Sequence, residues 1–312
     1  MKVLQLLKAH QFTTQTQPVP KIEENQALIC FKYGLLCGSD YPKYVDESLE
    51  CSTPLPPGMP LHECVGQVVE SRIPNLLPKT WVLAMPDHNR GLAEFFVVSR
   101  QRLTPLIGWT SNDLPFAALA QPTGAVLYAL DSLGHLANQT VLIFGLGGIG
   151  LIFCALLSLI GVKQIIGVEP NDFRRKMASK LYKVKTFARC SNELNNVADI
   201  SIDAVGQCEQ SKIIAACLDS TRPHGTIILF GVPTVAEQKL SVYSIIRKNM
   251  TLIGTISPDW IYYLPSGVQT VKDNLDLFKP LITHRFHWEQ APQAFELFEK
   301  PAEKRVKILL HD

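Results

Sequence analysis

The sequence has almost no excess of charge. In 312 residues, 30 basic and 28 acidic side chains leave a formal net charge of +2, and no block of like charges stands out along the chain. Nucleic acid and anionic membrane surfaces therefore have no electrostatic footprint to bind, which leaves a small molecule as the expected partner. Eight cysteines, at positions 30, 37, 51, 64, 154, 190, 208 and 217, form no C-x-x-C pair and no regular framework. That pattern excludes a disulfide-stapled scaffold and predicts free thiols in a reducing compartment. Residues 1–8 run into a polar stretch, 13–17, without the long apolar core and small-residue cleavage site of a secretory leader. A cytoplasmic address is expected. Internal repeats, low-complexity tracts and long linkers are also missing. What remains is a chain too long for a typical single core, with 46% hydrophobic residues to bury, and it suits two domains.

What the sequence does have is concentrated between Val141 and Glu169. The apolar tetrad Val141-Leu142-Ile143-Phe144 opens into Gly145-Leu146-Gly147-Gly148-Ile149-Gly150, and a second apolar segment ends on the acid Glu169. A βαβ dinucleotide site needs a strand, a glycine turn that brings backbone N–H groups to a pyrophosphate, a helix N-terminus aimed at that charge, and a carboxylate about 20 residues on for the ribose. All four occur in order. The rival reading is a membrane span, because residues 141–162 carry no charge and are long enough to cross a bilayer. Four glycines in six residues would weaken such a helix by about 1 kcal/mol each, and no basic cluster flanks it on the N-terminal side. The strand-helix-strand reading accounts for the whole pattern. A structural glycine turn without a ligand is the plain alternative.

From Val141 onward, strand signals at 141–144, 165–168, 185–188, 200–205, 226–230 and 251–255 alternate with helical patterns at 149–159, 172–181 and 209–218. This alternation predicts a parallel, doubly wound α/β sheet. Ligands gather at the carboxyl ends of such strands, so Val205 with Gly206, and Gly231 after Phe230, are expected to face a cofactor. The first 110 or so residues read differently, with short strand-like runs at 27–31, 65–70, 81–85 and 94–98 between turn-rich pieces. This part is β-rich. The tail beyond Pro258 holds 281–286, an amphipathic segment at 291–298 and a closing strand at 305–310, and can return to the first domain. The expected division is 1–120 plus 259–312, and 121–258.

Upstream of the glycine turn stand Cys37-Gly38-Ser39-Asp40 and, about 25 residues later, His62-Glu63-Cys64-Val65-Gly66. A cysteine, a histidine and a carboxylate are ligand types that a catalytic Zn²⁺ uses while keeping one position open. Each alone has a plainer explanation, since cysteine is among the most buried residue types. The order C-G-S-D, H-E-x-x-G, G-x-G-x-x-G resembles the zinc-containing medium-chain alcohol, polyol and threonine dehydrogenases along nearly the whole chain. The resemblance implies a Rossmann doubly wound domain and a β-rich, GroES-like catalytic domain. It further implies Cys37 and His62 as zinc ligands, Glu63 as an exchangeable ligand or an outer carboxylate, Asp40 holding the other ring nitrogen of His62, and Ser39 passing the alcohol proton toward solvent. It implies a homodimer or homotetramer too, with strand 251–255 a candidate edge for pairing. By default the other cysteines are structural.

Three departures limit that resemblance. The four-cysteine lobe for a structural zinc is missing, because residues 85–91 run straight into 92–95, so one zinc at most is expected and other contacts must replace the lobe. Gln121, before Pro122, stands where the polyol and threonine enzymes tend to carry an acid; it can coordinate through its carbonyl, or hydrogen-bond a substrate hydroxyl, or leave Glu63 to complete the site. Pro42 stands where a relay histidine is common and can neither donate nor accept; Lys43, or ribose with water, can substitute, or the relay is truncated. Glu169 favours NAD over NADP by repelling a 2′-phosphate, an effect Arg174 or Arg175 would offset if either reached the same ribose. Tyr41, Tyr44, His88 and Trp260 are candidate pocket walls. Oxidation of a secondary alcohol with NAD is the expected activity, with an alcohol or carbonyl substrate. A metal-free, NADPH-dependent quinone or enoyl reductase and a catalytically inactive nucleotide-binding regulator are the alternatives.

Overall fold

A hairpin opens the chain. Strands β1 (Lys2–Lys8) and β2 (Gln11–Thr16) pair antiparallel across a tight turn in which His10 takes a left-handed φ of +61°. Five further strands follow: β3 (Gln26–Leu35), β4 (Glu63–Ser71), β5 (Trp81–Ala84), β6 (Phe95–Ser99) and β7 (Leu103–Pro105). The link from β5 to β6, where a zinc lobe is expected to be missing, is fastened by side chains. Asp87 accepts from the N–H and hydroxyl of Ser99 at 3.1 and 2.7 Å, and the Arg102 Nε donates to the Met85 carbonyl at 3.0 Å.

The second stretch is a parallel sheet of β8 (Thr140–Phe144), β9 (Gln164–Val168), β10 (Lys185–Phe187), β11 (Ala198–Asp203), β12 (Thr221–Leu229) and β13 (Thr251–Gly254). Their order is β10-β9-β8-β11-β12-β13, so the winding reverses between β8 and β11. Every residue of those two strands is buried, as strands covered by helices on both faces must be, and this is why they read as continuous apolar runs. The helices are Gly148–Ile160, Asp172–Tyr182, Ser211–Ser220 and Val242–Lys248. The uncharged span 141–162 thus resolves into strand, turn and a 13-residue helix ending at Gly161, whose φ is +76°. Among the described residues no helix is long and apolar enough to cross a membrane.

The computed structural model describes residues 1–206, 210–255, 258–300 and 304–312. Cys208 and the expected helix start at Glu209 lie outside the described residues. Strand β11 stops at Asp203, two residues earlier than the expected 205; the Ala204 N–H makes a last bond to the Phe144 carbonyl, and the Val205 N–H turns to the Asp203 carboxyl.

After the helix Trp260–Asp273 the chain forms β14 (Ile282–His287), the helix Ala291–Glu299 and β15 (Lys307–His311). Strand β15 pairs parallel with β14 and antiparallel with β3, giving a sheet ordered β14-β15-β3-β4-β5-β7 with β6 also on β3. Its core gathers Leu4, Ile29, Phe31, Val82, Phe295 and Ile308, drawn from both ends of the chain.

Two units result, Met1–Gly124 with Asp259–Asp312, and Ala125–Pro258. The expected boundary at 120/121 shifts by four residues because the helix Ala120–Asp131 crosses it, with its first turn pressed against Trp260–Asp273. A Cβ on Gly267 would lie 2.2 Å from the Ala120 carbonyl, and one on Gly124 2.6 Å from that of Tyr263. Gln121 therefore belongs to the first unit.

Candidate active site

Strand β3 delivers Cys37 two residues beyond its end, at the start of a 3₁₀ turn Gly38–Asp40. The turn is closed on itself, since the Asp40 Oδ2 accepts the Cys37 N–H at 2.9 Å and the Asp40 N–H donates to the Cys37 carbonyl at 3.1 Å. His62 and Glu63 enter at the start of β4, and the pairing of Leu35 with Glu63 sets the two strand ends side by side. Sequence-distant donors thus meet: the ligand atoms of Cys37, His62 and Glu63 all lie within 4.8 Å of one another.

Asp40, fully buried, turns its Oδ1 toward the His62 Nδ1 at 3.3 Å. Among the described residues neither atom has a well-formed hydrogen bond. A cation on the far ring nitrogen would relieve that need by fixing the imidazole tautomer. Burial alone would depress the protonation of His62, but Asp40, and after it Cys37, outweigh burial and hold its pKa well above the ordinary value. A metal entering here would compete with a proton for the ring. Sulfur, nitrogen and carboxylate oxygen with one position left over are a donor set that fits zinc. Ser39 is exposed beside them.

One member of the group is already engaged. The Lys307 Nζ of β15 donates to Glu63 Oε1 and Oε2 at 2.8 and 2.6 Å and to the Leu36 carbonyl at 3.3 Å, with lysine and glutamate side chains 5% and 0% exposed. Burial works against the ammonium; the Glu63 carboxylate, followed by Cys37, raises its pKa nonetheless. Glu63 can still offer a lone pair to a metal, but its charge is offset at source. Lys307 escapes a reading based on motifs, and its signal was a lone lysine inside Val306-Lys307-Ile308-Leu309-Leu310, a charge in an apolar run that demands a partner.

Other expected neighbours take different places. Gln121 is buried in the first turn of Ala120–Asp131. Tyr44, expected as a pocket wall, is only 3% exposed and stacks on Phe295 at 5.0 Å between ring centroids, so it is core. Lys43 is buried and pairs with Glu50 at 3.4 Å. His88 is exposed, with φ of +56°.

The glycine turn is built for close approach. Gly145 has φ of +85°, and a Cβ on it would meet Val205 Cγ2 at 2.7 Å; on Gly150 a Cβ would fall 1.9 Å from the Gly145 carbonyl. Gly147 is the opposite case. A Cβ there would find only the Arg174 Nη1, at 4.0 Å, so open space lies above it. Gly147 caps the helix Gly148–Ile160 without a side-chain partner, leaving the N–H groups of Gly148 and Ile149 at the helix N-terminus without a side-chain cap, an arrangement that fits a pyrophosphate.

Glu169, past the end of β9, is 5% exposed. Its Oε2 accepts the Leu146 N–H at 2.8 Å and its Oε1 the Asn171 N–H at 2.9 Å, which locks the carboxylate to the turn. Each oxygen keeps a lone pair for a ribose hydroxyl. The Arg174 Nη1 lies 3.8 Å from Glu169 Oε2. Arg175 is committed locally, donating to the Glu169 and Pro170 carbonyls at 2.8 and 2.7 Å and to Asp172 at 3.0 Å. Gly231 donates its N–H to the Asp203 carbonyl at 3.0 Å and leaves no room for a side chain beside the Val205 carbonyl.

Residues 148–273 match the family described as zinc-binding dehydrogenase. Over 347 aligned positions the chain is 25% identical to a protein named probable D-xylulose reductase A from Emericella nidulans, covering 96% of this chain and 93% of that one. It is 23% identical to the L-threonine 3-dehydrogenase of Escherichia coli K12, covering 95% and 96%. Among solved structures, 2R,3R-butanediol dehydrogenase from Bacillus subtilis superposes with a TM-score of 0.82 at 20% identity, covering 100% of this chain and 99% of that one. An alcohol dehydrogenase from Thermus sp. ATN1 gives 0.83 at 19%, with the same coverage. The family match lies in the glycine-turn unit, while the likeness to the curated relatives and the shared fold run nearly the full length of the chain, through the Cys37 unit as well.

Proposed function

We propose that the protein is a zinc-dependent, NAD(H)-linked dehydrogenase that interconverts a secondary alcohol, in a polyol, sugar or amino-alcohol, and the corresponding ketone. The observation that carries this reading is the convergence of Cys37, His62 and Glu63 in a chain that also has a built dinucleotide turn. Relatives named for a xylulose, a threonine and a butanediol support an alcohol–carbonyl exchange.

Cys37 and His62 would hold the metal, with Glu63 as an exchangeable third donor. Lewis acidity is what zinc supplies at such a site. Asp40 orients the His62 ring through Nδ1. Lys307 neutralises Glu63, so the donor set carries less negative charge than its residue types suggest. Ser39, at the surface, takes the alcohol proton toward solvent; Pro42 cannot extend that path, and Lys43 is held by Glu50. Gln121 is a neutral partner for a substrate hydroxyl. In the second unit the glycine turn, with Gly145, Gly147, Gly148, Ile149 and Gly150, binds the pyrophosphate, while Val205 and Gly231 flank it. Glu169 binds the ribose and disfavours a 2′-phosphate; Arg174 beside it softens that preference.

A homo-oligomer joined at β13 is part of the proposal, because among the described residues β13 pairs only with β12 and an unpaired edge is a template for a second copy. The unpaired state of the seven described cysteines supports a reducing, cytoplasmic location.

The test is metal analysis of protein purified without chelator, together with turnover of polyols, sugars and amino-alcohols using NAD and NADP. Stoichiometric zinc, lost in Cys37→Ser along with turnover, is the expected result. Full activity with little zinc would sink the metal reading in favour of a metal-free reductase. Coenzyme binding with no turnover of any alcohol would favour an inactive nucleotide-binding protein.

A further inference from the structure

Asp203 closes β11, the strand across the sheet's reversal from β8. Its side chain is fully buried. The Oδ1 accepts the Val205 N–H at 3.0 Å, whereas the equally buried Oδ2 has no hydrogen-bond partner among the described residues. Its main-chain carbonyl accepts the N–H groups of Phe230 and Gly231 at 3.1 and 3.0 Å. One residue thus ties the end of β11 to the Ala204–Val205 bend and to the loop after β12. Val205 is also what the glycine turn rests on, since its Cγ2 lies 2.7 Å from where a Gly145 Cβ would be.

A buried carboxylate with one oxygen unsatisfied and no counter-cation is costly, and such a group takes up a proton instead. Its sheet neighbours, Phe144 on β8 and Leu229 on β12, carry no charge. On the helix Ser211–Ser220 the group facing it is the Cys217 thiol, which burial, and then Asp203 itself, push well up, so it is neutral. Among the described residues no cation offsets Asp203.

We propose that Asp203 is a positioning residue for the coenzyme: its carboxyl fixes Val205 against Gly145 and so sets the backbone of the dinucleotide turn. This rests on the dinucleotide reading of that turn. Burial raises the Asp203 pKa to about 7, against a smaller opposing effect of the Val205 hydrogen bond. The folded-state value therefore lies above the unfolded one. The stability it confers is complete at acid pH and is lost as pH rises through about 7. The same ionisation puts a negative charge behind a turn that receives an anionic pyrophosphate, so coenzyme affinity falls in the same interval.

The experiment measures NADH affinity by fluorescence titration of the full-length protein from about pH 6 to about pH 8.5, an interval centred on this ionisation. Wild type is compared with Asp203→Asn, which keeps an acceptor for Val205 and never ionises, and with Asp203→Leu, which removes the acceptor. In wild type the Kd is expected to rise about fivefold or more across the interval, a typical coupling between linked sites. In Asp203→Asn this rise is absent and the acid-pH affinity is retained. Asp203→Leu binds about tenfold more weakly throughout. Every other ionisable group is common to all three proteins, so the difference isolates Asp203. An unchanged pH slope in Asp203→Asn overturns the inference, whether or not Asp203→Leu folds. No binding of NADH or NADPH by wild type at any pH overturns the dinucleotide reading and this inference with it.

Discussion

Replacing Lys307 by methionine removes a cation from a sealed site and leaves its partner behind. The ammonium makes three hydrogen bonds within 3.3 Å, two of them to Glu63, whose side chain is 0% exposed. Water cannot take over those contacts. An exposed pair broken in this way would cost at most about 1 kcal/mol, but stranding a buried carboxylate costs about 3–5 kcal/mol. At about 2–4 °C per kcal/mol for a unit of 150–250 residues, the first unit should melt about 6–20 °C lower. The assay is calorimetry on metal-free protein, so that no metal ion stands in for the lysine. Adding Glu63→Gln to Lys307→Met removes the stranded charge and should recover at least about half of the loss. A single mutant within about 2 °C of wild type, or a double mutant no better than the single, would show that Glu63 is not held as a charged partner of Lys307.

Two glycine substitutions test the close approaches. Gly150→Ala places a methyl 1.9 Å from the Gly145 carbonyl oxygen and 2.9 Å from its carbon; the backbone must open, and NADH affinity is expected to fall more than about tenfold. Binding at wild-type strength would mean that the turn is not the pyrophosphate site. Gly267→Ala puts a methyl 2.2 Å from the Ala120 carbonyl and should lower stability by about 1–3 kcal/mol through overpacking, read from the denaturant midpoint. An unchanged midpoint would refute the tight crossing of these two helices.

The second unit was legible in the sequence because its information is local. Strands buried on both faces appear as apolar runs, and the glycine turn and Glu169 lie within one strand-helix-strand unit. The first unit is harder. Tyr44 looks like a loop residue suited to a pocket, but its partner Phe295 is 251 positions away, and only the folded chain shows the stack. The donors Cys37, His62 and Glu63 were readable as a motif, whereas the charge state of Glu63 depends on Lys307, brought in by the last strand. Asp203 carries no motif. Its character comes from burial and from the lack of a cation nearby among the described residues, neither of which one strand's sequence reveals.

The position of β15 between β14 and β3 has a consequence for how the protein is made. The second unit is one continuous segment and can fold on the ribosome as soon as Pro258 has emerged. The first unit cannot, because its sheet needs residues 307–311 to pair with a strand translated long before. Until then the Leu309 and Leu310 side of β3 stands open as an apolar edge, a hazard for aggregation during synthesis. Glu63 also waits there without its lysine. Ribosomes stalled before Lys307 should therefore carry a protease-resistant second unit and a cleavable first one.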